Sequence, residues 1–414
     1  MKQLTKKKEL FKIIWSKLAW TGLILVVYDL GKNIPLPFVQ VSKLNKMSQS
    51  ASLLSLSGSA TGANLTQVSL FSLGLSPWMS AIIIWQLLLM IKGLSFDKLS
   101  KKETDFFQLL LTLVIALIEA WGMIVSLPII VTGVLEKIIV SLVVVAGSFW
   151  LIWLANMNSV KGIGGSITVI LFGILGNVIQ QVTEIIRPHT LILVILICSL
   201  IFLLIISLTV IVEQTEYHVK IQQIMIESHF SDQTYLPIKL NPGGSMSIMF
   251  SLSLLMLPNY LLQILHQQFP DNSIIVWLIK NVALTSYFGV SLYILILFGL
   301  TLVFGLVNVD PEKIAEDLQK AGDYLIKVNP GKDTEVYLRQ KVLQLSVLGA
   351  IYTVAFAGVP LFFGVGRTQL LNVLLLPGML MMTCSMVLMI IEQFRTISLL
   401  HGYADLLDFS RGGN

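Results

Sequence analysis

The stretch TLILVILICSLIFLLIISLTVIV, Thr190–Val212, runs for 23 residues without one Asp, Glu, Lys or Arg. As a helix rising 1.5 Å per residue it is about 35 Å long, enough to cross the roughly 30 Å of hydrocarbon in a bilayer. Comparable stretches recur on both sides of it. They predict spans over 18–38, 67–91, 106–127, 138–157, 163–183, 190–212, 246–265, 284–307, 342–363 and 370–392. Composition agrees: of 414 residues, 55% are hydrophobic and 12% charged, with a mean hydropathy of +0.82. The fold class this predicts is an all-α polytopic membrane protein with ten transmembrane helices.

Ten is even, so both termini share a side, and the loops rich in Lys and Arg stay cytoplasmic. With the N-terminus inside, 21 of the 28 Lys+Arg fall on the inner side and 7 on the outer. The net charge of +5 is thereby read as a topology signal and gives no footprint for nucleic acid. The expected location is a plasma membrane, with lipid around the bundle and both termini cytoplasmic. Lys6, Lys7 and Lys8 ahead of Leu10, Phe11, Ile13, Ile14 and Trp15 lack a small-residue cleavage site, and read as a cytoplasmic flank.

A break near Pro188 leaves five spans in an N-terminal half, 1–188, and five in a C-terminal half, 189–392, followed by a tail, 393–414. Such a division suits an inverted repeat. Two polar excursions, 213–245 and 308–341, face the cytoplasm. In the second, Asp310-Pro311 reads as an N-cap with proline at the first helical position. Ile314, Leu318, Ala321 and Leu325 follow at helical spacing, Gly322 is a weak point, and Pro330-Gly331 marks a turn. The first outer loop, Met47–Ser69, is rich in Ser, Gly, Ala and Thr yet contains Leu53, Leu54 and Leu56. It is either a flexible exposed loop or irregular backbone held in a protein-lined cavity at membrane depth.

The five histidines (His189, His218, His229, His266 and His401) are scattered, and no zinc-protease, serine-hydrolase or phosphate-loop motif is present. Neither an enzyme nor a cofactor is expected. Gly162, Gly164 and Gly165 read as a tight turn between spans. Cys198 and Cys384 lie inside spans without metal-ligand spacing, and read as packing residues. Glu119, in mid-span, is the one clear candidate for ion coupling in a secondary transporter, or a carboxyl satisfied locally. Asp29 and Lys32, three apart, could pair. An apolar passage would need none of these groups, because a hydrophobic constriction gates by dewetting. Met379, Met381, Met382, Met386 and Met389 supply a flexible apolar stripe that fits such a passage or ordinary core packing.

Four segments resemble the SecY family of protein-translocation channels, in family order and over nearly the full length. SLFSLGLSPWMSAIIIWQLL (Ser69–Leu88) is similar to the second span, and GIGGSITVILFGIL (Gly162–Leu175) to the glycine turn before the fifth. TYLPIKLNPGGSMSIMFSLSLLMLP (Thr234–Pro258) is similar to the fourth cytoplasmic loop running into the seventh span. VDPEKIAEDLQKAGDYLIKVNPGKDTEVYL (Val309–Leu338) is similar to the fifth cytoplasmic loop. The resemblance implies two pseudo-symmetric five-helix halves around an hourglass channel, with a lateral gate between the second and seventh spans. It implies a plug at 47–69, carrying Leu53, Leu54 and Leu56. It also implies a pore ring of Leu75, Met79, Ile170 or Ile174, Met249 and Met382. Its partners would be a SecA-type ATPase motor, small SecE/SecG-like membrane subunits and an exported preprotein. The motor would meet the cytoplasmic loops at Lys220, Lys239, Asn329 and Lys332.

Some residues depart from the family pattern. Asn329 stands where an Arg usually precedes Pro-Gly, so a bidentate cationic contact is lost. Only Lys220 and Lys239 are basic in the fourth loop, the plug segment is rich in Ser, and methionines replace ring positions that are commonly Ile. These changes resemble the accessory SecY paralogues of Gram-positive bacteria, which imply export of large serine-rich, glycosylated surface proteins. A housekeeping SecY channel is the alternative within the family.

Overall fold

The computed structural model describes residues 2–37, 69–90, 100–126, 133–185, 192–222, 235–244, 246–326 and 328–411. The helices are α1 (Lys2–Lys32), α2 (Ser76–Met90), α3 (Lys101–Ser126), α4 (Val134–Lys161), α5 (Gly165–Ile185), α6 (Ile192–Gln214), α7 (Met246–Gln268), α8 (Ser273–Val282), α9 (Tyr287–Val309), α10 (Pro311–Ala321), α11 (Lys332–Thr353) and α12 (Thr368–Arg411). Three strands accompany them: β1 (Glu216–Gln222), β2 (Tyr235–Lys239) and β3 (Tyr324–Leu325). Eight helices among the described residues are long and apolar enough to cross a bilayer. With α2 and α6, at the second and sixth expected positions, they make up the ten. Lipid explains their outward faces: Leu196, Leu200 and Leu203 on α6 and Leu110, Leu113 and Leu117 on α3 are exposed, which water would penalise.

Proline and glycine correct two span boundaries and distort a third span. The first span ends at Lys32, short of 38, since Pro35 and Pro37 cannot continue a helix. Pro35 instead pairs with Ser69 in an isolated antiparallel bridge. The second helix starts at Ser76 and not at 67, because Gly74 takes a left-handed φ of 60°. The lead-in 69–75 crosses α4 closely: a Cβ on Gly147 would lie 2.2 Å from the Leu70 carbonyl oxygen, so only glycine fits there. In the ninth span, α11 gives way to one wide turn, Val354–Gly358, and then a tight one, Val359–Gly364. Pro360 offers no N–H and its ring would strike the carbonyl four residues back, which the wide turn accommodates.

Two compact units emerge. The first holds Met1–Glu184, Leu252–Lys280 and Met386–Asn414; the second holds Ile185–Ser251 and Asn281–Ser385. The first is cored by Leu73, Ala116, Met123, Val144, Met256 and Tyr260. In the second, Tyr293, Leu297 and Phe304 of α9 are buried, and Phe304 stacks on Phe250 at 4.8 Å between ring centroids.

The two polar excursions fold together into a small sheet of order β2-β1-β3, antiparallel throughout. Glu216 pairs with Lys239 and Lys220 with Tyr235. Val219 and Ile221 of β1, Ile238 of β2 and Leu325 of β3 are buried against Leu338, Val342 and Leu345 of α11. Alternation in β1 and β2 is the cue for this sheet, but such short strands fall below the helical periods used to find spans. α10 begins as expected, with the Asp310 carboxylate accepting from Lys313 N at 3.3 Å and Pro311 in the first turn. It ends at Ala321, so Leu325 is a strand residue. Gly322, at φ 79°, is its left-handed C-cap.

Asp310 itself has φ 45°, a conformation that Asp and Asn tolerate better than Ala. Asp310→Ala is therefore expected to destabilise α10 by about 1–2 kcal/mol through the lost cap, and Asp310→Asn to leave it nearly unchanged. Amide hydrogen exchange over 311–321 measures the difference.

Candidate functional site

β1, β2, α10 and α11 pack around one small core. His218, opposite Pro237, and Tyr235, opposite Lys220, are diagonal neighbours that stack with ring centroids 3.8 Å apart. The Lys341 ammonium lies over Tyr217 at 5.7 Å and Tyr337 at 5.9 Å, a cation–π arrangement. Lys220 is exposed on β1, Lys239 is half-buried on β2, and Lys332 is exposed at the start of α11. Asn329 Nδ2 donates to Asp333 at 3.0 Å, and Thr334 Oγ1 donates to the Asn329 carbonyl at 2.9 Å. The Asn329 side chain thus engages the first turn of the helix that follows it. On exposed α10, Glu316 bonds Lys320 at 3.0 Å and holds its ammonium above the usual lysine range.

A second polar constellation lies in the membrane within the first unit. Glu119 of α3 is 1% exposed and has the Ser76 and Ser80 hydroxyls of α2 beside it. Ser76 Oγ also meets Ser253 Oγ of α7 at 3.2 Å. Tyr260, one to two turns further along α7, is buried within electrostatic reach of the carboxylate. Its backbone and Cβ crowd Gly122, where an added Cβ would come within 2.7 Å. α2 therefore meets α3 at this carboxylate through serine hydroxyls, while Glu119 Oε1 is buried without a hydrogen-bond partner among the described residues, a cost that a neutral carboxyl reduces. Asp29 and Lys32 of α1 interact electrostatically, and the Lys32 ammonium reaches α5 beside Gly176.

The glycine turn between α4 and α5 is a junction. Gly164 and Gly165 have φ of 75° and 56°. Ile163 N donates to Thr21 Oγ1 of α1 at 2.9 Å, Gly164 N to Gln393 Oε1 of α12 at 2.7 Å, and Asn158 Nδ2 to the Gly165 carbonyl at 2.6 Å. Its N–H groups thus close on the protein's own side chains.

The six residues implied for the ring are all buried: Leu75, Met79, Ile170, Ile174, Met249 and Met382 range from 0% to 5% exposed. Leu75 and Met79 are one turn apart, with Met79 N bonded to the Leu75 carbonyl. Ile170 and Ile174 likewise occupy successive turns of α5. These four belong to the first unit, and Met249 and Met382 to the second. Of the methionine stripe, Met379, Met381, Met382 and Met386 are buried. The plug positions Leu53, Leu54 and Leu56 lie outside the described residues. Among the described residues, no group of three or more His, Cys, Asp or Glu could hold a metal.

Comparison with known proteins gives one answer. The SecY family's sequence model matches residues 69–392. The accessory Sec system protein translocase subunit SecY2 of Streptococcus salivarius is 36% identical over 406 residues, 97% of this chain and 100% of that protein. SecY2 of Leuconostoc gelidum subsp. gasicomitatum is 34% identical over 95% of this chain and 97% of its own. Among solved structures, a protein-conducting channel superposes with a TM-score of 0.68 at 20% identity, covering 94% of this chain and 93% of that one. Sec61 from the canine ribosome–channel complex of the endoplasmic reticulum gives 0.63 at 19% identity over the same shares. The chain thus has the fold of these channels and belongs to the SecY family, as an accessory Sec protein-translocation channel.

Proposed function

We propose that the chain is the passive pore of its translocase: preprotein passes a constriction made by Leu75, Met79, Ile170, Ile174, Met249 and Met382, with 47–69 as the plug. The observation that carries this is that all six positions, five of them on four separate helices and Leu75 just before α2, are apolar and buried, as a dewetting constriction requires. In this reading the halves 1–188 and 189–392 flank the passage, both termini and the tail 393–414 face the cytoplasm, and the chain performs no catalysis. Driving energy comes from a SecA-type ATPase seated on the β1–β2 hairpin and the α10–α11 segment, where Lys220, Lys239, Asn329 and Lys332 stand. The shortage of cations in the hairpin and the internal engagement of Asn329 suit a motor other than the housekeeping one. Small SecE- and SecG-like membrane subunits complete the assembly.

The cargo is a serine-rich, glycosylated surface protein. Methionine has an unbranched, polarisable side chain that adapts to bulky groups, whereas isoleucine is stiff at χ1. Replacing Met79, Met249 and Met382 together by Ile should add about 1 kcal/mol of strain when a glycosylated segment widens the ring. That slows its transit roughly fivefold and leaves the unglycosylated form nearly unaffected. Export of one serine-rich reporter, with and without its glycans, measures this. Equal impairment of both would remove the glycan argument.

A further inference from the structure

We propose that α8, between the seventh and eighth spans, is a membrane-surface anchor: Ile274 and Trp277 enter the acyl boundary of the bilayer and Lys280 meets lipid phosphate. α8 has ten residues and is about 15 Å long, half of what a span requires. It is tied to α7 by 269–272 and to α9 by 283–286. Four residues reach at most about 14 Å, so the helix cannot leave the neighbourhood of the two span ends.

Its register separates two faces. Ile275, Leu278 and Ile279 are half-buried, and Val282 is 6% exposed; they form the inward side. Ser273, Ile274, Trp277 and Lys280 share the opposite side, where Ile274 is 66% and Trp277 56% exposed. Two large apolar side chains on the outward side are unsuited to water, yet this helix is too short to span. The bilayer–water boundary satisfies both conditions. Trp favours that boundary, and a lysine one turn on extends its ammonium toward headgroups while its stem stays apolar. The flanks match: Phe269 before α8, and Tyr287 and Phe288 at the start of α9, are exposed aromatics at the ends of the neighbouring spans. Local hydrogen bonds close both ends of the helix. Asn272 Oδ1 accepts from Ile274 N at 3.0 Å, and at the far end Ser286 Oγ donates to the Asn281 carbonyl.

The test uses the full chain in vesicles of phosphatidylcholine and phosphatidylglycerol, with Cys198→Ser and Cys384→Ser as background. Asp271→Cys, Ile274→Cys and Trp277→Cys variants each carry one spin label. Collision with oxygen, which concentrates in hydrocarbon, is compared with collision with a water-soluble nickel chelate. The oxygen-to-nickel ratio is expected to be at least about threefold higher at 274 and 277 than at 271, since only the first two are buried in the acyl boundary. Nickel access at all three positions would place α8 in water and overturn the anchor. Low access to both reagents at 274 and 277 would mean that protein covers this face, which overturns it too. Quenching of tryptophan fluorescence by brominated lipid, in the otherwise unaltered protein and in Trp277→Phe, checks the result without a label. Loss of part of the quenchable emission in the variant is expected, and unchanged quenching would overturn the anchor independently.

Discussion

Aspartate in place of Ile238 is expected to abolish motor-driven export while the membrane helices remain folded. Ile238 is 2% exposed in the core of the small sheet, with Val219, Ile221, Leu325 and Leu338. An unpaired carboxylate there costs several kcal/mol, more than a five-residue strand can withstand, so the β1–β2 hairpin should come away from α11. The spans draw their stability from lipid and from each other and should not respond. Motor affinity measured on reconstituted protein should fall at least tenfold, equivalent to about 1.4 kcal/mol. ATP-driven export should drop to background, and size-exclusion behaviour in detergent should be unaltered. If motor binding survives, the hairpin is not the docking surface, and the α10–α11 segment alone would have to serve.

Cysteines in place of Ser76 and Ser253 should give a channel that oxidation closes and reductant reopens. The two hydroxyls are 3.2 Å apart, which brings α2 and α7 close enough for a disulfide once the side chains rotate. A single hydroxyl contact contributes only about 0.5–1.5 kcal/mol, so the native pair can separate in use, but a covalent bond cannot. With Cys198→Ser and Cys384→Ser as background, nearly complete loss of export on oxidation is expected, with recovery on reduction. A formed cross-link that leaves export intact would mean that α2 and α7 need not part for this cargo. Glu119 belongs to the same constellation: through Ser76 and Ser80 it joins α3 to the α2–α7 contact.

Membrane class and helical content were legible in stretches such as Thr190–Val212, because a backbone in lipid must satisfy its own hydrogen bonds and apolar length alone reports that. The start of α10 was equally legible, since an aspartate cap and a first-turn proline act within four residues. The same local reasoning stopped short where a proline or a left-handed glycine ended a helix inside an apolar run, as at Pro35 and Gly74. It also failed at Leu325, whose helical spacing continued past Gly322 although the chain had already turned into a strand.

The sequence by itself determined the class, the order of the spans and the family, because each depends on composition or on motifs contiguous in the chain. Tertiary structure alone decided that two separate loops share one sheet, with Ile221 of the first paired to Leu325 of the second. It also decided that Glu119 faces serines from another helix, and that Ser76 meets Ser253, 177 residues away. The physical reason is the same in each case. A hydrogen bond or a buried contact between distant residues leaves no periodicity in either segment, and only the packing of the helices brings the two partners together.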